Sequence, residues 1–345
     1  MRILISQTNN IRKNKQLKTI SKNSSRLKHI LSILIILGLF TNCKKDYPIS
    51  KNISSIKLET NYIDFHHQFH KSDLNDLKRL KKRFPYLFPS NVSDSVWLSK
   101  IKNSNEKKLY LKAVNLFGDF SKERKKLNRL FKHIKWYKPH FETPKVITLI
   151  TDLDYENKII YADSLLLISL DMYLGKETEV YQNFPTYMSK NHTREQLIVD
   201  VARKIAKKEF EYQNGRTFIE SMIYEGKELH LLTSLIPNYD KNKIIGFNKK
   251  EMAWAKHNES DIWSYFIKEK LLYSTDQKLN NRFIFPAPFS KFYLESDKDS
   301  PGRIGTWIGW KIVQSYMKNN GGSILDMLAL DNETIFRKSK YKPKK

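Results

Sequence analysis

The chain has 345 residues, 40% hydrophobic and 28% charged, enough apolar material to bury a sizeable core. A single cysteine excludes an internal disulfide. The net charge of +26 raises the possibility of nucleic acid, but no run interleaves basic residues with regularly spaced aromatics as a base-stacking platform does, so no nucleic-acid partner is expected.

Residues 1–29 carry eight Lys/Arg and no acid. The uncharged stretch Ile30 to Phe40, "ILSILIILGLF", follows, about half the length of a membrane span and typical of a secretion signal. Cys43 stands three residues beyond it, behind Asn42. This layout resembles a bacterial lipoprotein signal, in which the chain is cut before a cysteine that then carries lipid. That resemblance implies a signal peptide over 1–42, lipid (palmitate) on Cys43 and a polar tether over 43–60, with the folded domain at 61–345. Removal of the eight cations of 1–42 takes the net charge from +26 to +18.

Helical signals open the folded part. "SDLNDLKRLKKRF" from Ser72, "SDSVWLSKI" from Ser93 and "SKERKKLNRLFKHIKWY" from Ser121 each begin with serine, a favoured N-cap. In the first, Leu74, Leu77 and Leu80 mark an apolar side; in the third, Leu127, Leu130, Phe131 and Ile134 share a face. Strand character then takes over in "KVITLITDLD" and "KIIYADSLLLISL", separated by the turn "DYEN". Helices return from Thr193, from Gly215, and as a broken pair from Asn248 to Tyr273. The expected fold is α+β: a mostly helical single domain with a small central meander sheet, covered by helices that precede and follow it in sequence.

The last strong signal is "SPGRIGTWIGWKIVQSYM", Ser300 to Met317. Its glycines match neither a P-loop nor a dinucleotide fingerprint. Ser300 as N-cap and Pro301 at the first helical position start a helix in which Ile304, Ile308 and Ile312 form one stripe and Gly305 and Gly309 the next. Glycine inside a helix costs about 1 kcal/mol against alanine, so two of them imply a close neighbour. The helix stops at Asn319-Asn320-Gly321.

Candidate chemistry is sparse. Asp297, Asp299 and Gly302 fit positions 1, 3 and 6 of a calcium loop, but Pro301 and Ile308 occupy positions where ligands are required. His66 and His70 lie four apart, the spacing of two zinc ligands on a helix, without a second cluster nearby; they read as surface histidines. There is no G-x-S-x-G elbow and no H-E-x-x-H helix. No catalytic, cofactor-binding or metal-binding residue is assigned, and no cofactor or small-molecule substrate is expected.

The segments "HIKWYKPHFETPKVITLITDLDYENKIIYADSLLL", "MIYEGKELHLL", "DIWSYFIKEKLLYSTD", "RFIFPAPFSKFYLESDKDSPGRIGTWIGWKIVQSYM" and the terminal "FRKSKYKPKK" closely resemble the gliding motility lipoprotein GldB family of Bacteroidota. The resemblance implies a lipid-anchored cell-envelope protein, facing the periplasm, required for gliding and for the associated type IX secretion machinery. Its partners are then the membrane, through Cys43, and other gliding or secretion proteins, with no catalytic activity. A more distant resemblance is to gluzincin-type metallopeptidases, where a sheet is followed by a helix with H-E-x-x-H and a second helix with a glutamate ligand. Glu225-Gly226 matches the second helix, whereas the first reads "LIVDVARKIAKKEF" without histidine. This implies a degenerate zincin-like scaffold, a pseudoenzyme in which Glu225 is a surface or capping acid. The competing expectation is a metallopeptidase-like enzyme with an unusual site drawn from His66, His70, Glu225 or His230. A further one is a glycan groove lined by Trp254, Trp263, Trp307 and Trp310, residues that read more naturally as core.

Overall fold

A computed structural model describes residues 51–162 and 164–343. The lipidation assignment at Cys43 lies outside the described residues. Inside them the chain forms α1 (Lys51–Ser54), β1 (Tyr62–Ile63), α2 (Phe65–His70), α3 (Leu74–Arg83), α4 (Asp94–Lys102), α5 (Ser104–Phe117) and α6 (Ser121–Tyr137). Three strands follow, β2 (Lys145–Leu149), β3 (Ile159–Ala162) and β4 (Leu165–Ser169). The second half is helical: α7 (Thr186–Ser189), α8 (Gln196–Glu209), α9 (Phe218–Leu235), α10 (Lys241–Ile245), α11 (Lys249–His257) and α12 (Glu259–Lys268). The last four helices are α13 (Lys278–Phe283), α14 (Ile304–Asn320), α15 (Ile324–Ala329) and α16 (Asn332–Ser339).

The α+β class holds, but the sheet is not a meander. Its strand order is β1-β2-β4-β3. β4 lies between β2 and β3, parallel to β2 (Ile147 opposite Leu167) and antiparallel to β3 (Ile160 opposite Leu167). The added edge strand β1 runs parallel to β2, with Tyr62 opposite Val146 and Ile63 opposite Ile147. Side chains alternate along a strand, so successive residues of β2 enter different cores. Val146 joins the large core with Leu166 and Ile168, and Ile147 joins a smaller one with Phe65, Phe69, Leu77 and Phe84. The sheet is therefore covered on both faces.

Local sequence explains where the helices start, sometimes one or a few residues from the expected place. α3 is capped by Asp73, which accepts from the N–H groups of Asn75 and Asp76, and not by Ser72. Leu74, counted with the apolar side, is 45% exposed, whereas Leu77 and Leu80 are buried. α6 begins at Ser121, preceded by Phe120 in the left-handed region, so Ser121 is not its cap. Its expected face, Leu127, Leu130, Phe131 and Ile134, is fully buried. α9 has a capping box of Thr217 and Glu220. Within the segment read as a tether, α1 packs on α6, with Ile53 buried and the Ser54 carbonyl accepting from Lys132 Nζ at 2.6 Å.

α9 and α14 form the most intimate helix pair. α14 starts at Ile304, not at Pro301: Arg303 precedes it at φ 64°, and the Ser300 hydroxyl is turned into a loop, accepting from Ser290 N at 3.0 Å. The glycine reading survives this shift. A Cβ on Gly309 would overlap the Met222 carbonyl of α9, and one on Gly226 would overlap the Gly309 carbonyl and come within 2.7 Å of Trp310 N. Two glycines therefore bring two backbones into contact. Trp307, Trp310 and Trp263 are buried and Trp254 is packed against the core, so these tryptophans form no open groove.

Candidate functional site

α8 is apolar on most of its circumference, yet Gln196, Asp200, Arg203 and Lys207 recur at spacings of four, three and four and so share one stripe. α9 faces this stripe with Glu225 and Glu228, one turn apart. Lys158 comes from the turn before β3, and Arg303 from the residue before α14. The fold thus gathers four cations and three carboxylates at one end of the helical layer.

Every charge in the cluster is answered. Arg203 donates from Nε to Glu228 Oε1 at 2.6 Å and from Nη2 to the Ile244 carbonyl at 2.8 Å, with Nη1 3.8 Å from Asp200. Asp200 takes Lys158 Nζ at 2.7 Å, the Tyr173 hydroxyl at 3.1 Å and Gln196 Nε2 at 3.3 Å. Glu228 also meets Lys207 at 3.2 Å. Arg303 donates to the Ile245 carbonyl at 2.8 Å and to Glu225 at 3.3 Å. Glu228 is 1% exposed and Arg203 21%, so this is a largely dehydrated network.

Its electrostatics favour permanent charge. Burial pushes the Asp200 carboxyl up, but Lys158 and Arg203 outweigh burial and hold it below the usual carboxylate value. Glu228 is lowered in the same way: burial opposes ionisation and Arg203 and Lys207 overcome it. Burial and the repulsion of Arg203 lower Arg303, while burial beside Asp200 drives the Tyr173 hydroxyl well above its ordinary value. An acid–base catalyst works best with a pKa near the ambient pH. Asp200 and Glu228 are moved away from it.

A cleft of about 110 Å³ opens on the cluster, lined by Tyr155, Lys158, Asp200, Arg203, Gly302 and Arg303. A hollow of about 590 Å³ adjoins it and shares Tyr187, Lys190, Asn191 and Phe247. Gln196 also lines the cleft, and its buried Oε1 has no hydrogen-bond partner among the described residues.

The residues weighed as metal ligands are not brought together. His66, expected at the surface, is 3% exposed and shares a hydrogen bond with Thr148 Oγ1 at 2.7 Å. His70 is half-buried and stacks on Tyr110. Both are packing residues of the smaller core's rim, because the short helix α2 presses them against β2 and α5. Glu225 is neither a surface nor a capping acid; it is 16% exposed and paired with Arg303. Among the described residues, no group of three or more His, Cys, Asp or Glu is placed to hold a metal ion. Asp297 accepts from the N–H groups of Tyr293 and Leu294, closing a turn instead of a calcium loop. Sequence reading passed over Asp200, Arg203, Glu228 and Arg303. The signal available was the polar stripe on α8, set at helical spacing among Leu197, Ile198, Val199 and Val201.

The family model of the gliding motility protein GldB matches residues 46–343, which takes in all of the described residues. The chain belongs to the GldB family. A GldB-family protein is a gliding motility lipoprotein, and among the described residues no helix is long and apolar enough to cross a membrane. No curated protein and no solved structure matches the chain.

Proposed function

We propose that this GldB-family protein is a non-catalytic scaffold or assembly factor of the gliding and type IX secretion machinery. In this reading it is held at the periplasmic face of a membrane by lipid on Cys43, and works by presenting a rigid helical domain to other components. The observation that carries the reading is the Asp200–Arg203–Glu228–Glu225–Arg303 cluster. Its carboxylates are occupied by guanidinium and ammonium groups. A catalytic zinc needs about three protein ligands and an open position beside a base. Here arginines stand where such a centre needs neutral or anionic donors, and His66 and His70 lie against Thr148 and Tyr110.

A network of this kind has a structural use. It ties α8 to α9, and both to the carbonyls of α10 and to the start of α14, around the glycine contact. The test is complementation of a strain lacking the protein. Glu225→Gln and Asp200→Asn variants that accumulate normally should restore gliding and secretion, and the purified mature protein should carry zinc far below one equivalent. Loss of gliding by a folded Glu225→Gln protein, together with one tightly bound zinc, would instead establish the metallopeptidase-like alternative.

A further inference from the structure

α6, seventeen residues long, has an outer side that is exposed at both ends and met by α1 at Lys132. Its seventeen residues contain seven Lys/Arg and one acid, Glu123. That acid is 2% exposed and engaged by Arg194 through two contacts of 2.7 Å. Lys122, Lys125, Arg129, Lys132 and Trp136 recur at spacings of three, four, three and four and form one stripe about 21 Å long at 1.5 Å per residue. Lys122, Lys125 and the adjacent Lys126 are exposed, and Trp136 is 47% exposed. The nearby acids are few. Glu123 lies 3.9 Å from Lys126 Nζ and Glu195 feels the Lys126 charge, Asp119 accepts from Ser121 N ahead of the helix, and Asp64 pairs with Arg124 at 2.8 Å.

The second observation is where the anchor joins. α1 lies on α6, fixed by buried Ile53 and by Lys132 donating to the Ser54 carbonyl. Seven residues, and so eight Cα–Cα steps, separate Cys43 from Lys51. Even fully extended they reach about 28 Å. A lipid on Cys43 therefore confines the α1–α6 side to within that distance of the bilayer, about as far as the stripe is long.

We infer that the exposed part of the α6 stripe is a membrane-docking face, in which Lys122, Lys125 and Lys126 meet anionic headgroups and Trp136 enters the interface. This rests on the anchor reading above and names what the anchor presents to the membrane. The charge is of the right sign, tryptophan is the residue type that prefers the headgroup level, and each basic residue near an anionic surface strengthens binding about fivefold. Screening sets the range: at physiological salt the attraction fades within about 8 Å, so the tether must bring the face close for it to act.

The test uses the lipidated full chain in phosphatidylcholine vesicles, with and without phosphatidylglycerol, each containing nitroxide-headgroup lipid. Tryptophan quenching that disappears in Trp136→Phe reports contact of this face. Expected are quenching of Trp136 in the anionic vesicles, little in the neutral ones, and its loss in high salt and in Lys122→Glu/Lys125→Glu/Lys126→Glu. All three of these side chains are exposed, and an unchanged thermal midpoint verifies the fold. The mature chain carrying Cys43→Ser, added to anionic vesicles, should lose about a hundredfold or more in affinity through the same triple change. Trp136 quenching that is absent, or equal in both vesicle types, overturns the inference; so does a photo-crosslinker at position 125 that captures an acidic protein instead of lipid. Failure of the anchor reading is separate: labelled palmitate then fails to enter the protein, while the vesicle affinity of the Cys43→Ser chain still decides the face.

Discussion

Gly226 of α9 and Gly309 of α14 lie backbone against backbone, so that a Cβ on either would overlap the carbonyl of its neighbour across the interface. Alanine at these sites gains about 1 kcal/mol of helix propensity and loses an overpacking term of about 1–3 kcal/mol or more. Rigid backbone, unlike the end of a side chain, cannot move aside, so the steric term wins. Gly226→Ala and Gly309→Ala should each lower the thermal midpoint and the cellular abundance. At Gly305 the nearest atoms, Phe283 O and Ile284 Cδ1, stand at 3.0 Å from a built Cβ, one of them a side-chain end. Gly305→Ala should cost less than either. A Gly309→Ala protein as stable as the parent would show that the helices can separate freely.

Within the charged cluster, removing one member should hurt more than its exposure suggests. Arg203→Met leaves Glu228, 1% exposed, with only Lys207 at 3.2 Å. Breaking a buried pair by deleting one partner costs about 3–5 kcal/mol, against a total stability of about 5–15 kcal/mol. The double change Arg203→Met/Glu228→Gln should recover part of that loss. Denaturant melts of the single and double variants measure the coupling, and strict additivity would mean that the two groups do not interact.

Stability should fall with acid before the carboxylates titrate. Burial lowers His66 from 6.5 to about 3, and His70, His133, His192 and His230 to about 4. A histidine with a depressed folded pKa binds its proton in the unfolded chain first, so its stabilising share is complete above about pH 6.5 and is lost as pH drops towards 4. Asp171 works the other way. Burial raises it from 3.8 to about 6, so its neutral form favours folding as pH falls through 6. Five histidines outweigh one aspartate. The midpoint should therefore decline between pH 6.5 and 4, and His192→Asn should flatten the decline. A midpoint constant over that interval would refute the histidine account.

Cys43→Ser should abolish incorporation of labelled palmitate and release the protein from the membrane, or leave it uncleaved there. Each buried CH₂ contributes about 0.8 kcal/mol, so two or more acyl chains hold a protein almost permanently. Continued labelling of the serine variant would move the lipid to another residue.

The fold class, the long helices and the buried faces of α6 and α14 were legible because apolar residues at helical spacing encode them locally. The order of the strands was not. Nothing local in "KIIYADSLLLISL" tells whether β4 lies beside β2, since that choice is made by side chains of both cores at once. Helix starts slipped wherever the cap was supplied by a neighbour, as with Asp73 for Ser72, or wherever a left-handed residue made the entry, as with Phe120 and Arg303. The charged cluster escaped notice because its members come from positions 158, 200, 203, 225, 228 and 303 and only tertiary packing joins them. The glycine stripe named one side of an interface; its partner, Gly226, had been read only beside a candidate ligand.

The edge strand β1 has a mechanical consequence. It is only two residues long, yet it joins residues 62 and 63 to residues 146 and 147, and the backbone leading to it is held again where Thr143 Oγ1 donates to the Glu59 carbonyl and where Val146 N donates to Asn61 at 2.8 Å. A pull along the chain from its N-terminal side would first load α1 against α6 and then draw β1 lengthwise against β2. Contacts strained along a strand share tension, whereas those peeled from one end give way in turn. A gliding motility protein pulled from its N-terminal side would thus carry traction into its sheet, and Tyr62, whose hydroxyl donates to Asn128 on α6 at 2.8 Å, would be the rivet between that sheet and α6.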